Sequence, residues 1–204
     1  MNPDLTLAEH RRAFQTDNHF DGPPRLIEWV RLGPLPIPIP NPPARRRALR
    51  LHDLHHLITG YGTDWQGEWQ ISAWEVGGGL HRNPVAWMFC LMGMTAGLVA
   101  APRLTLRAYA RGRRGRTLLG QDPDAVDRLT LAEGRAFCGV DQPPPPVTAA
   151  DVPRAIGWGL LGVVVAVLPP LAWALSRLDR APAVRVPAPA DGDPPAIERT
   201  ATPA

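Results

Sequence analysis

The sequence predicts an all-α fold: a helical domain built around an antiparallel helix hairpin, followed by a C-terminal apolar helix. Three observations carry that expectation. Apolar residues at 48, 49, 51, 54, 57 and 58 recur near helical spacing and stop at Gly60. The run WQGEWQISAWEVGGG begins a few residues later and ends in Gly77 to Gly79, so two helices share a short link. Two stretches, the 17 residues Val85 to Ala101 and the 21 residues Ala155 to Leu175, carry no charge at all.

Taken in order, residues 1–24 are polar and close on Gly22-Pro23-Pro24, which reads as an N-terminal arm. Arg25 to Leu32 is a short amphipathic piece. Proline at 34, 36, 38 and 40 forbids a helix and favours an extended, polyproline-like strap, with Leu35, Ile37 and Ile39 able to lean on an apolar surface. The first hairpin helix follows Pro43, and Thr63 with Gln66 has the spacing of a capping box that opens the second.

Val85 to Ala101 would be about 26 Å long as a helix at about 1.5 Å per residue, short of a hydrocarbon layer of about 30 Å, and is expected in the core. Arg103 to Arg116 holds six arginines and no acid. With one aromatic, Tyr109, and no recognition motif, this run reads as a solvated face or a membrane-surface contact rather than a nucleic-acid site. Residues 125–140 read as a short amphipathic closing helix, which completes a domain over 25–141.

Pro143 to Pro146 mark a linker over 142–154. Residues 155–175 would span about 31 Å as a helix, enough to cross a bilayer. Pro169-Pro170 would kink it, and Arg177, Arg180 and Arg185 follow it, against the simplest positive-inside topology for a cytoplasmic N-terminal domain. A kinked or re-entrant anchor stays open. The Pro/Ala-rich tail, 176–204, is expected to be disordered.

Composition narrows the class further. With 204 residues the chain supports one modest core plus an appendage, and a multidomain enzyme is not expected. All 22 basic residues are Arg and none is Lys, which a GC-biased genome explains as well as anion binding does. Two cysteines, Cys90 and Cys138, cannot make a disulfide framework or a cysteine metal site. The first dozen residues lack the basic start and apolar stretch of a secretory signal, so the chain is expected to start in the cytoplasm, and with the apolar segment at 155–175 the expected location is membrane-associated, on the cytoplasmic face of the inner membrane.

The local density of histidine is the main anomaly. His52 and His56 stand four apart on the first hairpin helix, so both rings project from one face about a turn apart, as two nitrogen ligands of one divalent ion must. His56 lies four residues before Gly60 and Glu68 five after Thr63, so antiparallel packing makes them neighbours; Glu75 then approaches His52 as a further ligand or as the acceptor behind it. A buried hydrogen-bond network or a plain solvated helix face accounts for the same residues, and at this point both remain open. A metalloprotease HExxH would need Glu where Asp53 stands, and an HD phosphohydrolase would need further ligands upstream, where His10 and His19 sit in the arm.

The run His52-Asp53-Leu54-His55-His56, then eleven residues, then Glu68, resembles the HDxxH, x11, E pattern of the coenzyme Q biosynthesis protein 4 family. The links Leu57 to Tyr61 and Thr63 to Glu68, and Trp74-Glu75 beyond them, are similar too. The resemblance covers about residues 20–140 and is strongest at 45–80. It implies an all-helical protein working at a membrane on a polyprenylated benzoquinone precursor. It also implies His52, Asp53, His56 and Glu68 as ligands of zinc or a similar divalent ion, with Asp53 serving in catalysis and His55 on a variable position.

The family resemblance leaves two roles open. One is an enzyme that decarboxylates the ring and hydroxylates the same carbon. The other is a noncatalytic prenyl-lipid-binding scaffold that organises the other quinone-biosynthesis enzymes. A metallohydrolase with an unrelated substrate is a third reading. Membrane lipid is an expected partner, nucleic acid is not, and homodimerisation stays open. Arg47 and Arg50 would steer the acidic headgroup, and Val85 to Ala101 with the Ile/Pro strap would line a groove for the isoprenoid tail.

Overall fold

The computed structural model describes residues 5–18, 26–32, 35–80 and 84–178. Among these residues are eight helices and one two-stranded antiparallel ribbon, so the class is all-α. The chain divides at Pro169/Pro170 into two compact units, and all elements below lie in the first except the end of the last helix. His19 and the tail beyond residue 178 lie outside the described residues.

The segment read as an arm contains helix α1 (Leu7–Asp17). Its start is a complete capping box: the Glu9 amide donates to Thr6 Oγ1, and the Thr6 amide donates to Glu9 Oε2 at 2.8 Å. Leu7 is fully buried, its amide bonds Leu129 O at 2.7 Å, and Thr6 bridges Thr130. A mostly polar composition concealed this one anchored face.

The Pro-rich strap is extended as expected, but it is paired. Strands β1 (Ile27–Leu32) and β2 (Leu35–Pro40) form an antiparallel ribbon with Ile27 opposite Pro40 and Leu32 opposite Leu35. Alternate residues of a strand present their amides to the same edge, so prolines at 36, 38 and 40 strip donors from one edge only. The amides of Leu35, Ile37 and Ile39 remain for β1. The side chains of Leu35, Ile37 and Ile39 lie outside the described part of the structure, so their expected lean on an apolar surface does too.

Helix α2 (Pro43–Thr59) opens on Pro43 and closes on Gly60, at φ +78°, a left-handed turn that glycine adopts without strain. Helix α3 (Trp65–Gly78) starts one residue later than the Thr63/Gln66 box predicts. Asp64 is the cap, accepting from the Gly67 amide at 2.8 Å, while the Thr63 hydroxyl donates to Asn18 Oδ1 at 2.8 Å. A carboxylate at the cap also complements the positive helix end, which favours Asp64 over Thr63 there.

Helix α4 (Pro84–Ala100) and helix α5 (Pro102–Arg113) pack on α3, and α3 makes its most extensive contact with α5. Trp74, Ile71, Tyr109, Met94, Leu54 and Ile58 are buried in the common core. The expected closing helix over 125–140 is two pieces, α6 (Pro123–Val126) and α7 (Leu131–Cys138), because Thr130 and Glu133 form a fresh capping box between them. Part of the Arg103–Arg116 run is structural rather than solvated: Arg111 donates to the carbonyls of Thr59 and Val140, both at 3.1 Å. Both cysteines are free and buried, and burial pushes the Cys138 thiol up to about 12, which leaves it inert at neutral pH.

Asp127 ties α1 and α2 to α6. Burial pushes its carboxyl up, but hydrogen bonds from Arg50 at 2.6 Å and Arg11 at 2.8 Å outweigh that and hold it below the usual carboxylate range. A carboxyl depressed in the folded state contributes stability that is present above its unfolded value near 3.9 and lost as pH falls through the folded one. Asp127→Asn is therefore expected to lower the melting temperature at neutral pH, and the gap from wild type is expected to close in melts at successively more acid pH.

Helix α8 (Asp151–Leu178) begins four residues before the uncharged run, because the buried Asp151 carboxylate takes Arg113 at 2.6 Å and Arg114 at 3.0 Å. Asp151 also accepts from the amide and hydroxyl of Thr148, both at 2.8 Å. One side of α8 meets α4 closely: Thr95 Oγ1 donates to Gly159 O at 3.0 Å, and the Trp87 and Trp158 rings stand 5.0 Å apart. A Cβ on Gly162 would strike the Thr95 hydroxyl and the Leu91 carbonyl, a glycine-mediated approach used between membrane helices. The other side exposes Val152, Ile156, Leu160, Val163, Val164 and Val167.

Candidate metal centre

His52 and His56 project from one face of α2, and Glu68, in the first turn of α3, closes the group. His52 Nε2 and His56 Nε2 are 3.2 Å apart. Glu68 Oε2 lies 3.5 Å from His52 Nε2, and Glu68 Oε1 lies 3.4 Å from His56 Nε2. A tetrahedral ion with ligand bonds of about 2.0–2.1 Å spaces its donors by about 3.3–3.4 Å, so these three edges match one face of its coordination shell.

The protons fall where an ion needs them. His56 Nδ1 donates to the Tyr61 carbonyl at 3.1 Å, and His52 Nδ1 donates to Glu75 Oε1 at 2.9 Å. That leaves the two Nε2 atoms, 3.2 Å apart, as the nitrogens that would ligate an ion, each giving up any proton it holds as the metal binds. The donor set and its tautomers fit a divalent ion, and three protein donors leave further coordination positions for water or substrate. Glu68 sits at the rim, with its side chain 40% exposed, against 20% for His52 and 2% for His56.

The electrostatics are those of a tightly ion-paired cluster. Burial pushes Glu68 up, but hydrogen bonds from His52 and His56 prevail and bring it down to about 2. Burial presses His52 down, yet Glu75 and Glu68 more than reverse this and hold it well above its ordinary value. Glu75, with 1% of its side chain exposed, is held well below the carboxylate range: the positive field and hydrogen bonds of His52, with the hydrogen bond from His55, override burial. Two carboxylates around two imidazoles make a site whose charge a divalent cation balances.

The remaining predicted residues separate from this trio. Asp53, one residue beyond His52, turns about 100° around α2, and its Oδ2 accepts from Gln15 Nε2 of α1 at 2.8 Å. Burial raises the Asp53 pKa above the ordinary value. His55 has both nitrogens engaged inside the core, Nδ1 with Glu75 Oε1 at 2.6 Å and Nε2 with the Leu118 amide at 2.9 Å. Burial pushes it down and keeps it neutral. Arg50 is bound to Asp124 at 2.9 Å and Asp127 at 2.6 Å, so the steering role expected of it is not available; Arg47 is exposed.

Several neighbours were not visible in the motif. Cys90 of α4 donates its thiol to Glu75 Oε2 at 2.8 Å. From α1, the Phe14 ring stacks on His56 with centroids 5.9 Å apart, and Asn18 accepts from Thr63 at the turn before α3. The Thr6-x-x-Glu9 spacing was the available signal for α1; a lone cysteine in an apolar run gave none for its partner.

Fold and site together define an all-helical protein with a His/His/Glu group that could hold a metal ion, beside one described helix long and apolar enough to cross a membrane. Along Asp151–Leu168, 22% of that helix is buried, less than a core helix of a soluble domain requires. No protein-family model, curated protein or solved structure matches the chain.

Proposed function

We propose that this protein is a metal-dependent, membrane-associated enzyme of prenylated quinone biosynthesis, acting on a polyprenylated benzoate headgroup. The observation that carries the reading is the trio of His52, His56 and Glu68, spaced like one face of a zinc coordination shell with each histidine Nδ1 engaged by an oxygen acceptor. The HDxxH, x11, E resemblance supports the substrate class, and the bare apolar side of α8 supports work at a bilayer. The membrane in question is the inner membrane, approached from the cytoplasmic face.

In this reading His52, His56 and Glu68 hold zinc or a similar ion. The ion, when bound, supplies Lewis-acid stabilisation of negative charge on the ring as its carboxylate leaves as carbon dioxide. Glu68 at the rim faces the incoming headgroup. Asp53, its pKa raised by burial and its carboxylate oriented by Gln15, is the proton-handling group, delivering a proton to the ring carbon that loses carbon dioxide. Met88, Met92 and Val99 on the exposed side of α4 offer apolar surface for the isoprenoid tail, and other enzymes of the sequence are its partners.

Metal analysis by inductively coupled plasma mass spectrometry tests the reading. About one divalent ion per wild-type chain, lost in the His52→Ala, His56→Ala double variant, is the expected result; no ion in either, after reconstitution, would leave the noncatalytic lipid-binding scaffold as the account. Asp53→Asn is expected to keep its metal and to lose turnover of a carboxylated prenyl-quinone precursor. Full activity in that variant would remove Asp53 from the chemistry.

A further inference from the structure

The most heavily bonded group of the centre is not one of its three donors. Glu75 lies on α3 two turns beyond Glu68, and three side chains of two other helices donate to it. Oε1 accepts from His52 Nδ1 at 2.9 Å and from His55 Nδ1 at 2.6 Å, and Oε2 accepts from Cys90 Sγ at 2.8 Å. His55 is held from its far side by the Leu118 amide at 2.9 Å. A carboxylate cut off from water keeps its charge only where its lone pairs are met, and here both oxygens are met.

The arrangement has a direction. An ionised carboxylate only accepts, so His52 keeps a proton on Nδ1, and Nε2, the nitrogen that faces His56, is the one it can offer to an ion. His55 lies between an acceptor on one nitrogen and a donor on the other. That leaves it one tautomer and one ring orientation, and it fixes Oε1 in place. A buried carboxylate that served packing alone would be replaceable by an apolar side chain at no loss. Glu75 instead spends Oε1 on the ring that also supplies a donor to the cluster.

We propose that Glu75 is the positioning residue of the metal centre: supported by His55 and Cys90, it selects the His52 tautomer and ring orientation that aim Nε2 at the ion. This rests on the reading of His52, His56 and Glu68 as a metal site. His56 is served in the same way by the Tyr61 carbonyl, a backbone group that substitution cannot remove, so Glu75 is the orienting partner that can be varied.

The test is titration of the full-length chain with cobalt(II) and zinc against a competing chelator, for wild type and Glu75→Gln. The glutamine has one acceptor oxygen for three donors, so it releases His52 to either tautomer. The expected result is an affinity about 10- to 100-fold weaker, with an altered cobalt absorption spectrum. Cys90→Ser, which keeps a donor for Oε2, is expected to stay within a few-fold of wild type. Should Glu75→Gln not fold, long-range proton–nitrogen NMR on zinc-loaded wild type decides: His52 protonated at Nδ1 and ligated through Nε2 is expected, and ligation through Nδ1 overturns the proposal. Unchanged affinity and spectrum in a folded Glu75→Gln overturn it as well. A wild type that binds neither metal overturns the metal site itself, which keeps the two failures apart.

Discussion

Gly112→Ala is expected to lower the melting temperature by roughly 5–10 °C, equivalent to about 2–3 kcal/mol for a chain of this size. The contact between α3 and α5 is backbone to backbone: a Cβ on Gly112 would run into the Trp74 carbonyl, and one on Gly77 would meet the Tyr109 carbonyl at 2.5 Å. Neither obstacle is the end of a flexible side chain that can swing aside, so the helices must part and the packing around Trp74 and Tyr109 opens. Because Glu75 follows Trp74 on α3, the same displacement shifts the carboxylate that holds His52 and His55. Gly157→Ala is the control, since a Cβ there meets nothing within 4 Å. Thermal melts by circular dichroism should show a large drop for the first and none for the second; equal melts would mean that α3 and α5 have slack that their backbones do not show.

Leu160→Arg together with Val164→Arg is expected to move the full-length protein from the membrane pellet to the soluble fraction after carbonate washing. Both residues stand on the bare side of α8, so neither substitution disturbs the Gly159, Gly162 and Thr95 contact with α4. In water two added charges on an exposed face cost nothing, whereas each arginine costs about 2.5–3.5 kcal/mol near the middle of a bilayer. A melting temperature that is unchanged in detergent separates lost insertion from lost folding. Unchanged membrane recovery would assign attachment to the N-terminal domain rather than to α8.

The parts of the structure visible in the sequence are those governed by short spacings. Gly60 ends α2 and Gly79 caps α3 because a left-handed residue favours glycine, and the i,i+4 separation of His52 and His56 fixes their shared face before any packing is known. Counting from the tip of the hairpin places Glu68 by His56 and Glu75 by His52, and the structure has these pairs at 3.4 and 2.9 Å. What escaped depends on distant chain. Within the arm, Leu7–Asp17 is a docked helix because Leu7 finds a buried seat beside Leu129, which lies far from it in the chain. The prolines of β2 exclude a helix but do not name a partner strand; Ile27 to Leu32 supplies it. Asp53 reads as a neighbour of the ligands in sequence, and the 100° turn per residue carries it away to Gln15.

The roof and the floor of the metal centre are far apart in the order of synthesis. His52, His56 and Glu68 precede by some sixty residues the stretch around Asp127 to Thr130 that pins α1 through Arg11, Leu7 and Thr6. A nascent chain therefore presents the histidines before Phe14 and Gln15 can be fastened over them. Docking of α1, with Phe14 on the His56 ring and Gln15 on Asp53, closes this side of the cluster late. An N-terminal fusion that unseats Thr6 would leave His52, His56 and Glu68 in place and strip the Phe14 ring from His56.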